Sequence, residues 1–94
     1  MSAISLERRL AERVHARRGD LPAVYMTSNA WARAGERRVR LSDIRRITHD
    51  TDAFMSASRK SDITGQSVFR EGSLSVVWER GDDGDVYVQS VIVR

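Results

Sequence analysis

Two arginines, Arg33 and Arg37, are four residues apart in a segment with helical periodicity, so their side chains share one helix face. Guanidinium groups bind phosphate oxygens through paired hydrogen bonds, and they stabilise the charge that develops on a reacting phosphate. The spacing therefore predicts a pair that contacts phosphate. A solvated helix face, with an arginine paired to Glu36, is the alternative.

More arginines follow directly, and the basic run over residues 33–46 also contains Arg38, Arg40, Arg45 and Arg46. Residues 1–46 carry 11 arginines against 5 acidic residues, a net charge of +6. Residues 47–94 carry a net charge of −3, which leaves +3 for the whole chain. This asymmetry favours an anionic partner for the first half, most often nucleic acid.

Composition excludes several kinds of site. The 94 residues are enough for one modest core, and the lack of cysteine excludes disulfides, zinc–cysteine sites and thiol nucleophiles. His15 and His49 have no partner at ligand spacing, so we expect neither a metal nor a cofactor. The sequence has no apolar run near the roughly 20 residues that span a bilayer and no signal-peptide core. We therefore predict a cytoplasmic protein without membrane contact.

Residues 1–22 are predicted to be a helical extension. Leu6, Leu10 and Val14 recur every four residues, which predicts an amphipathic helix over residues 4–18. Such a helix would pack on the sheet, join two copies of the chain in a homodimer, or bind a protein partner. The sequence leaves these three roles open.

Residues 23–94 are predicted to form a second unit, in which a short strand and two helices precede the remaining strands. Its predicted helices cover residues 30–37, capped by Thr27, Ser28 or Asn29, and residues 42–48. Its predicted strands cover residues 23–27, 67–70, 73–80 and 85–93, with a weak candidate at 54–58 and a loop at 59–65. This order predicts an α+β domain, with helices on one face of a small antiparallel sheet of three to four strands.

Residues 26–37, with the sequence MTSNAWARAGER, resemble the opening of small ParE/RelE-like domains. Those domains belong to the group that unites barnase, the colicin ribonucleases and the RelE-type toxins. One branch has a strand, a histidine–alanine pair, and arginines four and eight residues after the histidine. Arg33 and Arg37 have that spacing from Asn29. The resemblance continues through residues 39–44 and a closing hairpin at residues 74–92, and it covers residues 23–94.

The resemblance implies a RelE/ParE-like fold and a metal-independent ribonuclease of the toxin type, in which the 2′-hydroxyl of RNA is the nucleophile. In such a ribonuclease Arg33, Arg37 and Arg70 would hold phosphate. Glu79, which lies opposite Trp78 in the strand alternation, or Ser90 would assist proton movement. Two positions depart from the pattern, because Asn29 replaces the histidine and Ser90 a common threonine. Asparagine is neither an acid nor a base near neutral pH, so such a domain is either inactive or dependent on other groups.

A non-catalytic protein is the alternative function. It would be a small protein of bacterial or phage origin that binds nucleic acid or protein through the basic face of residues 33–46. A third hypothesis is a homodimeric adaptor whose arginines bind an acidic protein patch. The resemblance favours RNA over DNA as the nucleic acid, and it implies an antitoxin as a protein partner.

Overall fold

The computed structural model describes residues 11–94, which form six β-strands and three α-helices. The strands are β1 (Glu12–His15), β2 (Val24–Met26), β3 (Arg59–Lys60), β4 (Ser67–Glu71), β5 (Leu74–Arg80) and β6 (Val86–Val93). The helices are α1 (Ser28–Glu36), α2 (Leu41–Thr48) and α3 (Thr51–Ala57). None of these helices is long and apolar enough to cross a membrane.

The strands form one mixed sheet in the order β1-β2-β6-β5-β4-β3. The central pair β2 and β6 is parallel, and every other neighbouring pair is antiparallel. The predicted α+β class is confirmed. The predicted antiparallel sheet of three to four strands is too small, because β1 and β3 each add an edge strand and β2 pairs in parallel.

Strand β1 occupies residues for which the sequence predicts a helix, and that prediction is wrong over Glu12–His15. Tertiary pairing decides the conformation here, because Arg13 pairs with Tyr25 of β2. An irregularity between Arg13 and His15 accompanies the burial of Val14 in the core. A single buried valine fits either periodicity, so the four-residue repeat was ambiguous at this point. Residues 4–10 of the predicted helix lie outside the described residues.

Helix α1 confirms the prediction of a helix in this region, and Thr27 is its cap. The Thr27 hydroxyl accepts a hydrogen bond from the Ala30 backbone N–H at 3.2 Å. At the other end, the Arg38 N–H bonds the Gly35 carbonyl and the Val39 N–H bonds the Ala34 carbonyl. This is a Schellman motif whose left-handed position, usually glycine, is Arg38 with φ 56°.

The prediction for α2 is confirmed and the weak strand predicted at residues 54–58 is wrong. Helix α3 covers most of that segment. The Asp50 carboxylate caps it by accepting from the Ala53 N–H at 3.1 Å. Thr51 and Phe54 lie about one turn apart, and both are buried. Phe54 is the one large apolar core anchor of this short helix, which is why its sequence lacks a clear helical period.

The core lies between the helices and one face of the sheet. The strands contribute Val14, Val24, Met26, Val76, Trp78, Val86, Val88 and Val91, and the helices contribute Ala30, Ala34, Ile44, Ile47 and Phe54. Trp78 packs against Phe54 with ring centroids 5.4 Å apart, and its indole N–H donates to the Ser58 hydroxyl at 2.8 Å. Trp31 is half-buried against the same core. This packing places α1 across β6 and thereby fixes the position of Asn29.

Candidate functional site

Asn29 is the second residue of α1 and reaches the neighbouring strand β6. Its side-chain amide donates a hydrogen bond to the backbone carbonyl of Gln89 at 2.8 Å. Because Thr27 caps the helix, the Asn29 amide is available for this contact. Asn29 therefore connects the start of α1 to the middle of the sheet.

Gln89 lies at a β-bulge in β6. Val77 pairs with Ser90 and the next residue, Trp78, pairs with Val88, so Gln89 is the extra residue that forms the bulge. A bulge redirects the side chain that it carries. The Gln89 amide nitrogen donates to the Glu79 carboxylate at 3.0 Å, and its oxygen accepts from the Gln66 amide at 2.5 Å.

These contacts define a polar group, named here the bulge cluster, of Asn29, Gln66, Glu79 and Gln89. Glu79 is half-buried rather than freely exposed, because β5 places it beside the bulge. Glu79 contributes the one carboxylate of the cluster, and the side chains of the other members are neutral amides. Ser90 follows Gln89 directly in β6 and is also half-buried. The structure therefore brings Asn29 and Glu79 together through Gln89, with Ser90 adjacent.

Arg33 and Arg37 continue from Asn29 along α1, and both are exposed. The Arg33 guanidinium pairs with the Glu36 carboxylate at 3.0 Å, with about half of each side chain exposed. Arg37 is the C-cap residue that follows α1, and its side chain makes no hydrogen bond or ion pair within residues 11–94. The expected pairing with Glu36 thus applies to Arg33 and leaves Arg37 available.

The other arginines of the basic run also divide into one with an acidic partner and several without one in the described part of the chain. Arg46 makes two contacts with the Glu71 carboxylate, at 2.6 and 3.2 Å. This hydrogen-bonded pair lowers the pKa of Glu71 and raises that of Arg46. The side chains of Arg38, Arg40 and Arg45 are exposed, and within the described part of the chain they have no acidic partner. We name Arg37, Arg38, Arg40 and Arg45 the α1–α2 arginine surface.

Arg70 lies apart from the bulge cluster. In β4 it pairs with Ser75, whereas Ser90 pairs with Val77, so Arg70 is two strands and two residues away from Ser90. Standard strand spacing puts their Cα atoms roughly 12 Å apart. Arg70 instead lines a cleft with Arg59 and Lys60. The sequence-predicted residues therefore occupy three places: the bulge cluster, the arginine surface and this cleft.

Reasoning from sequence missed Gln66 and Gln89, and it placed Arg59 and Lys60 in a loop. Neutral amides carry no signal of a functional role, and a bulge depends on the pairing of two strands distant in sequence. Arg59 and Lys60 form a two-residue strand, which is too short for alternation to reveal. The indication available in the sequence was that Arg59 and Lys60 are two adjacent charged residues next to a turn.

A cluster of titratable side chains connects β1 to the helices. The His15 Nε2 lies 3.0 Å from the Arg45 carbonyl oxygen, and the His15 ring meets the His49 ring edge-on with centroids 6.0 Å apart. Arg18 donates to the His49 backbone carbonyl. Partial burial lowers the pKa of His15, the bond to Arg45 opposes that change, and the charge of Arg18 lowers the pKa further.

Within residues 11–94, no three histidine, cysteine, aspartate or glutamate side chains are placed to hold a metal ion. Comparison with protein-family models, curated proteins and solved structures gives no significant match to this chain. We therefore infer function from the geometry and charge of the described residues.

Proposed function

We propose that this chain is a small RNA-binding protein with a ParE/RelE-like domain over residues 23–94, and that its α1–α2 arginine surface holds the phosphate backbone. The observation that carries the proposal is the contrast among the arginines of the basic run. Arg33 and Arg46 have acidic partners, whereas Arg37, Arg38, Arg40 and Arg45 are exposed without one in the described chain. Unpaired guanidinium groups in close succession suit the evenly spaced charges of a nucleic acid strand.

The order of elements supports the ParE/RelE-like part of the proposal. A strand is followed by helices and then by antiparallel strands, and the last strand, β6, returns beside β2. Asn29, at the position of the family histidine, lies where α1 meets β6. These features agree with the resemblance seen in residues 26–37.

Binding is tested by the fluorescence anisotropy of a labelled single-stranded RNA, with a DNA of the same sequence in parallel. The variant replaces three residues of the surface with glutamine: Arg37→Gln, Arg40→Gln and Arg45→Gln. Arg38 is kept because its left-handed backbone couples its replacement to stability, so it is tested separately. We expect a loss of affinity of about tenfold or more, since each lost contact reduces counterion release.

The matched control removes the same number of charges elsewhere: Arg13→Gln, Arg80→Gln and Arg94→Gln, all exposed. This control lowers the net charge by the same amount as the test variant, so any general loss of electrostatic attraction affects both variants equally. Equal losses in the two variants would contradict a defined arginine surface. No binding of RNA by the unaltered protein would contradict the function itself.

A metal-independent ribonuclease is the second candidate, and the bulge cluster favours it. Glu79 would accept the proton of the RNA 2′-hydroxyl as its oxygen attacks phosphorus. The bond to the 5′-oxygen then breaks, that oxygen takes a proton, and a 2′,3′-cyclic phosphate is left. Arginine side chains would stabilise the phosphorane charge.

Cleavage is tested with RNA in the presence of a chelator, using the unaltered protein, Asn29→His and Glu79→Gln. We expect 2′,3′-cyclic phosphate ends, more product from Asn29→His because imidazole supplies an acid and base, and loss of product in Glu79→Gln. If neither the unaltered protein nor Asn29→His cleaves RNA, the ribonuclease function is wrong and binding alone stands. An antitoxin partner and a homodimer stay predictions.

A further inference from the structure

The loop between β3 and β4 is a closed turn with its own hydrogen bonds. The Ser61 N–H bonds the Gln66 carbonyl at 2.7 Å, and the Gly65 N–H bonds the Ser61 carbonyl at 2.9 Å. The Ser61 hydroxyl accepts from the N–H groups of Ile63 and Thr64, both at 3.3 Å. Gly65 has φ 74°, which the turn requires and which glycine adopts without strain. The turn therefore presents its tip in a defined conformation.

Ile63 lies at that tip with 95% of its side chain exposed. The other exposed large apolar side chains of the described chain, Ile92 and Val93, are only 38% and 41% exposed. A single exposed apolar residue is ordinary on a protein surface. Ile63 differs because a hydrogen-bonded turn presents it next to a cationic cleft.

The cleft beside the hairpin has a volume of about 670 Å³ and is lined by Ala57, Arg59, Lys60, Ser61, Val68 and Arg70. Its three cations are exposed and make no ion pair within residues 11–94. None of its lining residues is acidic. A cleft of this size accommodates a nucleotide-sized group, and its charge favours phosphate.

We propose that the β3–β4 hairpin is a second RNA-binding element, in which Arg59, Lys60 and Arg70 hold backbone phosphates and Ile63 packs against one unstacked base. The inference rests on the proposed RNA-binding function and adds a surface distinct from the α1–α2 arginine surface. A single strand is the favoured ligand, because its bases are free to meet an apolar side chain. Phosphate contacts supply affinity, and Ile63 supplies the preference for unpaired RNA.

The test measures the anisotropy of a labelled oligouridine of about ten nucleotides over a series of salt concentrations. The salt slope is the slope of the logarithm of the association constant against the logarithm of salt concentration. It should become shallower by about 2 in the triple variant Arg59→Gln, Lys60→Gln, Arg70→Gln, because each phosphate contact on a single strand contributes roughly 0.7. Ile63→Ser should weaken binding about fivefold at every salt concentration with an unchanged slope, because the lost contact is apolar. Ile63→Leu should retain the affinity, and a duplex RNA should not distinguish Ile63→Ser from the unaltered protein.

The outcomes separate this inference from the proposed function. If the α1–α2 variant loses affinity while the hairpin variants bind normally, the hairpin element is wrong and the proposed function stands. If the hairpin variants lose affinity and the α1–α2 variant does not, the hairpin is the RNA site and the arginine surface is wrong. If a labelled polyglutamate peptide binds as tightly as the oligouridine and depends on the same cations, an acidic protein partner replaces RNA.

Discussion

The side-chain amide of Asn29 lies 2.8 Å from the backbone carbonyl oxygen of Gln89, and this bond attaches α1 to the bulge of β6. The bulge interrupts the regular ladder at Gln89, and the Asn29 amide donates a hydrogen bond to the carbonyl at this irregular position. Gln89 in turn holds the Glu79 carboxylate. Asn29 thus acts through Gln89 on the titratable group of the bulge cluster.

Replacing Asn29 with alanine should lower the free energy of unfolding by about 1 kcal/mol, the usual net value of a hydrogen bond to a partly buried carbonyl. Urea unfolding of the unaltered and Asn29→Ala proteins measures it. Ser28→Ala is the control, since Ser28 is exposed on the same helical turn and its side chain has no bond in the described chain. Equal losses in the two variants would mean that the Asn29 bond contributes nothing specific.

Arg38→Gly should raise stability and lower RNA affinity. Arg38 holds the left-handed position of the Schellman motif with φ 56°, where a side chain costs roughly 1 kcal/mol relative to glycine. The same change removes a cation from the α1–α2 arginine surface. Thermal unfolding should show a higher midpoint, while anisotropy shows weaker binding. A variant that is more stable but binds RNA unchanged would remove Arg38 from the surface.

Stability should decrease as the pH falls below the ordinary histidine pKa of about 6.5, because His15 is protonated more readily in the unfolded chain than in the folded protein. Its pKa is lowered in the folded state, so the unfolded chain binds the proton more tightly. Stability is therefore lost as the pH falls below the ordinary histidine value, and the loss levels off below the folded pKa. His15→Gln, which keeps a donor for the Arg45 carbonyl, should flatten this dependence. An unchanged pH profile in His15→Gln would contradict the assignment.

The two tryptophans should respond differently to replacement by phenylalanine. The Trp78 N–H bonds the Ser58 hydroxyl, whereas the Trp31 N–H is buried without a partner in residues 11–94. Trp78→Phe should therefore cost about 1 kcal/mol more than Trp31→Phe, because only Trp78→Phe removes a hydrogen bond. Urea unfolding of both variants gives the comparison. A larger loss in Trp31→Phe would show that its indole nitrogen has a bonding role.

The sequence predicted the α+β class and most helices and strands, because buried positions such as Ile44 with Ile47 and Val76 with Trp78 repeat at helical and strand periods. It did not predict β1 or α3. Val14 and Phe54 are single apolar anchors, and pairing with β2 or capping by Asp50 determines their conformation. Strand pairing between distant residues and helix capping therefore outweigh the local conformational propensity of these two segments.

The candidate site was predicted in part. The arginine spacing on α1 and the carboxylate Glu79 are visible in the sequence. Gln66 and Gln89 are not, because they act through a bulge whose register depends on two strands. The turn between β5 and β6 also has a structural role, since buried Asp85 accepts hydrogen bonds from the Ala23 N–H and from Arg17. The hydrogen bond to Asp85 raises the pKa of Arg17, and the bond from Ala23 connects the turn to the start of β2.

The salt dependence of RNA affinity measures phosphate binding at the α1–α2 arginine surface. The logarithm of the association constant, plotted against the logarithm of salt concentration, should have a clear negative slope for the unaltered protein. In Arg37→Gln, Arg40→Gln, Arg45→Gln the slope should be shallower by about 2, at roughly 0.7 per lost phosphate contact, and it should be unchanged in the Arg13, Arg80 and Arg94 control. A flat plot for the unaltered protein, or equal slopes in both variants, would contradict phosphate binding at the α1–α2 arginine surface.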